Sequence, residues 1–471
     1  MNREPDFFQN LQTEFSDTRQ WVDRAVVLAY AVIAGLFVVA FTLLSEWAYG
    51  VFEQVQHISP WLALLWTPLF TAGIVWVTRG FFRGAAGSGI PQVMAALTPG
   101  LNAAGRERFV SLKLTFAKIG LSSLGLLAGL SVGREGPSVQ VAAGVMQHAR
   151  RWLRPDSNIS VHALLVAGGS AGIAAAFNAP LAGVVFAIEE LSRTLESRSS
   201  GLIIAAIVLA GLMGVSVFGN LTYFGVIKVP PLAVSALLEG LVVTVLCGVL
   251  GGLFARVMAD SLTGRHADRF CIWRKRWPIR FAAGVGLAIA IMGLVTHGAT
   301  NGSGSEAVHR MLAGEEDASP VFVVLKFMST WFTAWAGAPG GIFAPSLSIG
   351  AGVGHNIAAF TSPELGPALI AVGMAGFLAA VTQAPLTSFI IVMEMVDGRA
   401  MVLSLMAAAM LASLISRMIS RPLYSTLAEF MLLQLKADGP PPGAPSDPSP
   451  TPATPSPVPH TPETASASRP T

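Results

Sequence analysis

Long apolar runs alternate along this chain with shorter apolar stretches cut by glycine and proline, and charged residues gather in the links between them. The long runs cover residues 21–49, 61–77, 109–130, 202–218, 234–258, 281–295 and 401–415. Each approaches or exceeds the roughly 17 to 25 residues that a membrane-crossing helix requires. The pattern predicts an all-α polytopic membrane protein. The shorter stretches, near Gly89, Gly136, Pro180, Gly340 and Pro385, are too brief to cross alone. Broken helices persist at membrane depth only where they are buried in protein or line a polar cavity, so these places mark the candidate working region.

Composition agrees: of 471 residues, 53% are hydrophobic and 12% charged, against about a quarter charged in soluble domains. The mean hydropathy is +0.61. The first run is too long, and too acidic at its start (Asp17, Asp23), to read as a cleavable signal, so it is expected to stay in the protein. Cys247 and Cys271 lack metal-ligand spacing and read as packing residues. The basic clusters at 148–154 and Arg274-Lys275-Arg276 read as loops facing the cytoplasm, not as nucleic-acid sites. No metal or cofactor site is expected. Residues 1–20 form a polar N-terminal segment at the cytoplasmic interface, and 438–471 is a Pro, Ser and Thr-rich tail that cannot bury a core and is expected to be disordered.

The region between repeats itself. FAKIGLSSLGLLAGLSVGREGP, ending at Pro137, lies over VLKFMSTWFTAWAGAPGGIFAP, ending at Pro345, so that Lys118 meets Lys326 and Glu135 meets Phe343. Farther along, residues 168–190 lie over 373–395, pairing Pro180 with Pro385 and Glu189 with Glu394. Gly87-Ser88-Gly89 resembles Gly302-Ser303-Gly304. These correspondences divide the membrane region into repeats 21–220 and 221–437. Repeats with discontinuous helices are typical of secondary transporters that bind substrate at the repeat interface.

In GSGIPQ, GREGP and GGIFAP a glycine hinge is followed by a proline just inside a new helix, where its missing N–H costs nothing. Such helix starts offer free N–H groups and the positive end of the helix dipole, whose natural guest is an anion. An idealised penalty on the order of 20 kcal/mol opposes moving a small ion into a low-dielectric interior. Several N-termini and hydroxyls converging on one point offset it without a full charge that would trap the ion.

Two other motifs need weighing. Gly168-Gly169-Ser170-Ala171-Gly172 matches the G-x-S-x-G nucleophile elbow, but it lacks the preceding strand and the acid and histidine that this chemistry needs. No enzyme is inferred. Glu189, Glu190 and Glu394 read either as helix-end residues or as functional intramembrane acids. Glu190 is replaced by Met395 in the second repeat, so the repeat does not require it structurally and a functional role is favoured.

Taken in order, GSGIP, GREGP, GGIFAP and Arg421-Pro422-Leu423-Tyr424 resemble the CLC family of chloride channels and chloride/proton exchangers, over about residues 21–435. The resemblance implies an inverted two-repeat bundle of many tilted helices, a homodimer with one pore per subunit, embedded in the lipid bilayer. It implies that Ser88 and Tyr424 supply hydroxyls, and Ile342 and Phe343 backbone amides, to a central anion. Glu135 would be the gating glutamate, a tethered anion that occupies the outer site when ionised. Burial and the helix N-terminus pull its protonation in opposite directions, so both states are accessible. Glu190 corresponds to the inner proton glutamate, which favours chloride/proton exchange over a passive gated channel of the same fold. A transporter of another small anion is the remaining alternative.

Some positions depart from the family pattern. The glutamate that commonly follows GSGIP is Gln92, and the nearby position that often holds an acid is Met94. Lys118 therefore has two readings, a positive potential that draws anions in or a structural role, capping backbone carbonyls or pairing an unidentified acid; Arg134 is a further electrostatic candidate. Ser88 and Tyr424 point to chloride as the anion. The tail in place of nucleotide-binding domains suggests a bacterial inner membrane, with both termini cytoplasmic.

Overall fold

The computed structural model describes residues 18–192, 200–219, 223–224, 236–264, 269–315 and 319–437. The expected tail, 438–471, residues 1–17 and the repeat boundary at 220/221 lie outside the described residues. The first half contains α1 (Thr18–Ile58), α2 (Ala63–Phe81), α3 (Ile90–Ala96), α4 (Ala103–Glu107), α5 (Leu112–Leu127), α6 (Glu135–His148), α7 (Val161–Ala176), α8 (Pro180–Phe186) and α9 (Ser200–Phe218). The second contains α10 (Leu237–Thr263), α11 (Arg269–Arg276), α12 (Pro278–Val295), α13 (Ser305–Ala313), α14 (Pro320–Ala336), α15 (Phe343–Phe360), α16 (Gly366–Thr382), α17 (Pro385–Met395), α18 (Val402–Arg417) and α19 (Leu423–Ala437).

Packing follows the repeat. In the first half α6 lies against α5 and α7, and α1 and α9 pack on α7 and on each other. In the second half α15 lies against α14 and α16, and α10 and α18 pack on α16 and on each other. Among the described residues eight helical segments are long and apolar enough to cross a membrane. Seven correspond to the predicted runs. The eighth, Pro363–Thr382, was not predicted as a span. It is as apolar as runs that were predicted, with a mean hydropathy of 1.9, and differs from them in being 89% buried inside the bundle.

Small residues at the contacts explain how such apolar helices bury each other where lipid offers no hydrophobic driving force. A Cβ on Gly168 would come within 2.8 Å of the Ala142 carbonyl oxygen of α6, and one on Gly172 would meet the backbone at Ser138. The G-x-S-x-G stretch is therefore a close-packing surface inside α7, with Ser170 fully buried and no strand before it. Gly350 of α15 and Gly373 of α16 bring the second pair together in the same way. Both cysteines are buried and neither forms a disulfide.

Candidate anion and proton site

The three Gly-to-Pro helix starts meet at the centre of the bundle through their backbones. Gly133 and Gly341 exchange hydrogen bonds, each N–H donating to the other's carbonyl at 2.8 Å, and Gly340 N–H donates to Gly87 O at 3.1 Å. Gly89, at φ 112°, packs so closely on Gly136 that a Cβ would lie 2.6 Å from the Gly136 carbonyl oxygen. Only glycine permits both that φ and that approach. The N-termini of α3, α6 and α15 are thereby held together. Pro137 and Pro345 occupy the third positions of α6 and α15, so the first two amides of each helix are its free donors.

Two hydroxyls face this junction. Ser88 Oγ and Tyr424 Oη lie close enough to interact, and both are buried without a well-formed protein hydrogen bond. Leaving a buried polar group unsatisfied costs about 1–3 kcal/mol, so this pair is a donor set that suits a guest acceptor. Tyr424 sits in the first turn of α19, which packs against α3. Phe343 closes the wall: its ring lies 5.7 Å from Tyr424, 6.3 Å from Phe177 and 6.5 Å from Phe186. Ile342 and Phe343, at the start of α15, are likewise buried.

Glu135 is fully buried at the first position of α6. Its carboxylate folds back over Gly133, toward the backbone N–H groups of Arg134, Glu135 and Ala344, without closing a well-aligned hydrogen bond. The group therefore lies at the joint N-termini of two helices, yet is not locked there. Arg134 points the other way: its guanidinium donates to Glu46 Oε1 at 2.8 Å and lies 5.8 Å from the Tyr223 ring centroid. A cavity of about 990 Å³ opens over Arg134 and Glu135, lined also by Glu46, Tyr49, Tyr223 and Glu306. Glu46, 88 residues from Arg134, carries no local sequence signal for this pairing.

Both buried lysines act on backbone carbonyls. Lys118 Nζ donates to Ala85 O at 2.8 Å and Gly87 O at 2.6 Å; Lys326 Nζ donates to Thr300 O at 3.0 Å, Asn301 O at 3.4 Å and Gly302 O at 2.9 Å. Gly87 and Gly302 are the glycines matched in the sequence repeat. The geometry favours the capping reading of Lys118, which pins the loop carrying Ser88. Gln92 ties down the same loop, accepting from Gly89 N–H at 3.0 Å and donating to Ala86 O.

The acids after α8 and on α17 have distinct jobs. Glu189 accepts from the N–H groups of Leu386 (3.0 Å) and Thr387 (2.6 Å) at the start of α17, while Glu394 accepts from Ala182 N–H at 2.8 Å in the first turn of α8. Each repeat thus caps a helix of the other. Replacing Glu189 and Glu394 by alanine is expected to cost about 1–2 kcal/mol per cap, read as a several-degree fall in the unfolding midpoint of the purified protein. No change in stability would show that water satisfies these amides equally well. Glu190 lies on a π-turn, Ala187–Leu191, of the kind frequently found at functional sites. Glu190 lies within electrostatic reach of Tyr424.

An inverted-repeat bundle whose broken helices converge on two buried hydroxyls and a buried carboxylate defines an anion-transport protein. The family described as voltage gated chloride channel matches residues 70–417, and the chain belongs to that family. It is 32% identical over 432 residues to the H(+)/Cl(-) exchange transporter ClcA of Cronobacter sakazakii, covering 86% of this chain and 89% of that one. It is 30% identical over 442 residues to ClcA of Salmonella typhimurium, covering 88% and 90%. Among solved structures, a slow cyanobacterial Cl-/H+ antiporter superposes with a TM-score of 0.73 at 23% identity, covering 88% of this chain and 99% of that one. A eukaryotic CLC transporter gives 0.70 at 22%, covering 87% and 74%.

Proposed function

We propose that this protein exchanges chloride for protons across a membrane. The observation that carries the reading is the position of the Glu135 carboxylate, fully buried at the joint N-termini of α6 and α15 and unlocked there. A chloride ion is held by the Ser88 and Tyr424 hydroxyls and the amides of Ile342 and Phe343. Ionised Glu135 occupies the outer anion position; protonated, it leaves and lets chloride pass. Glu190 receives protons from the other side and hands them on toward Glu135. Lys118 shapes the loop that presents Ser88, and Arg134 sets a positive potential at the cavity mouth.

The exchangers among the relatives support the coupling, as do two carboxylates, Glu135 and Glu190, within electrostatic reach of Tyr424. On this reading the protein works as a homodimer with one pore per subunit, the assembly that the family resemblance implies. Its setting is a bacterial inner membrane with both termini cytoplasmic, the side on which the basic links Arg150-Arg151 and Arg274-Lys275-Arg276 would fall.

The test uses liposomes containing purified protein under a chloride gradient, with voltage set by potassium and valinomycin so that passive leak predicts the opposite proton direction. Uphill, chloride-dependent proton movement is expected. Chloride flux without proton movement would make the protein a passive channel and overturn the exchange reading.

A further inference from the structure

The basic stretch Arg274-Lys275-Arg276 belongs to α11, a short helix between two membrane-crossing helices that does not itself cross. Nearly all of its surface is exposed; within it only Cys271 is buried. Arg274 points inward, donating to Ser261 O at 3.2 Å near the end of α10, and this fixes the orientation of the helix. Lys275 and Arg276 are exposed beside it. On the chain just after α11, the Arg280 guanidinium stacks over the Trp277 ring at 4.4 Å.

A second helix end adds to this group. α2 packs on α12, and Arg79 near the end of α2 comes within electrostatic reach of Arg274. Arg83, one turn on, donates from Nε to Arg79 O at 3.1 Å and is exposed. Among the described residues, none of Arg79, Arg83, Lys275, Arg276 and Arg280 is paired with a carboxylate. Like charges brought together repel each other, so an anion set against this face is favoured. The exposed aromatic side chains around it, Phe81, Phe270, Trp273 and Trp277, have the amphipathic character that seats at the boundary between headgroups and acyl chains.

We propose that this face, made by the end of α2, α11 and the first turn of α12, binds the headgroups of anionic phospholipids. Guanidinium groups match phosphate oxygens in a bidentate fork, the aromatics take up the adjoining acyl and glycerol region, and the position between crossing helices places the cations at headgroup level. A free phosphate ion meets the same cations but gains nothing from the aromatic rim. The anionic lipid is therefore the occupant that fits the whole surface.

The full-length protein would be purified in detergent with equal phosphatidylglycerol and phosphatidylcholine, and the lipids that remain bound counted by native mass spectrometry. Phosphatidylglycerol is expected to be retained over phosphatidylcholine by roughly tenfold, as a few cations near an anionic surface provide. The variant Arg79→Gln/Lys275→Gln/Arg276→Gln/Arg280→Gln is expected to lose that preference while eluting as the same monodisperse species. A variant with Arg79→Lys, Arg276→Lys and Arg280→Lys, which keeps the charge, is expected to retain most of it. Equal retention of both lipids by the wild type, or unchanged preference in the glutamine variant, would overturn the proposal. Complete displacement of the lipid by inorganic phosphate would also overturn it, making the face a free-phosphate site.

Discussion

Glu135→Ala is expected to abolish proton movement while chloride flux persists or increases. The carboxylate of Glu135 lies against the amides of Arg134, Glu135 and Ala344, which are the donors an outer chloride ion would use. As a tethered group it competes at an effective concentration on the order of millimolar or more, so chloride enters mainly when the side chain leaves. Alanine removes both the competitor and the titratable group. Chloride efflux and proton uptake would be followed together in liposomes, with the proton trace falling to the leak of protein-free vesicles. A correctly inserted variant with no chloride flux would show that Glu135 supports the anion path instead of gating it.

Glu190→Ala is expected to give the complementary phenotype, in which proton movement is lost and chloride flux stays within about threefold of wild type. Glu190 stands on the π-turn after α8, within electrostatic reach of Tyr424, and is not among the residues lining the cavity over Glu135. It is not one of the chloride donors. Its loss therefore removes a proton relay, whose contribution as a positioned acid–base group is typically about 100-fold or more, and leaves the hydroxyl pair intact. Glu189→Gln serves as the comparison, because Glu189 caps α17 through Leu386 and Thr387. A coupled Glu190→Ala protein would remove that residue from the proton path; an uncoupled Glu189→Gln protein would move the relay one residue back.

The pair Glu189 and Glu190 shows how far local pattern reaches. The repeat alignment sets Glu189 against Glu394, and the structure gives both the same job at the other repeat's helix start. Adjacent residues on a helical turn, here the π-turn Ala187–Leu191, project in different directions, so two neighbouring glutamates can serve different elements. The alignment marks which glutamate is duplicated. It does not show what either one touches.

Lys118 is a second case. Its match to Lys326 is readable in the chain, and so is the loss of an acid at Gln92 and Met94. Whether the ammonium faces an anion path or a set of carbonyls depends on where the loop at Ala85 and Gly87 comes to rest, 31 to 33 residues away. The span Pro363–Thr382 shows a different limit: its apolar character was present in the chain, but its place at the centre of the bundle, 89% buried, emerges only from packing.

The amino-acid sequence alone determined that this is a polytopic helical protein of two repeats with glycine-hinged, proline-started helices, because run length, periodicity and Gly-Pro grammar are properties of neighbouring residues. It also carried, through four ordered motifs, the candidate residues of the anion site. Tertiary structure decided the rest: the Gly133–Gly341 backbone bridge that joins the helix starts, the pairing of Arg134 with Glu46, the exchange of caps by Glu189 and Glu394, and the gathering of Arg79 with Arg274. Each joins residues remote in the chain. Their meeting is set by close helix packing around small side chains, which no local stretch encodes.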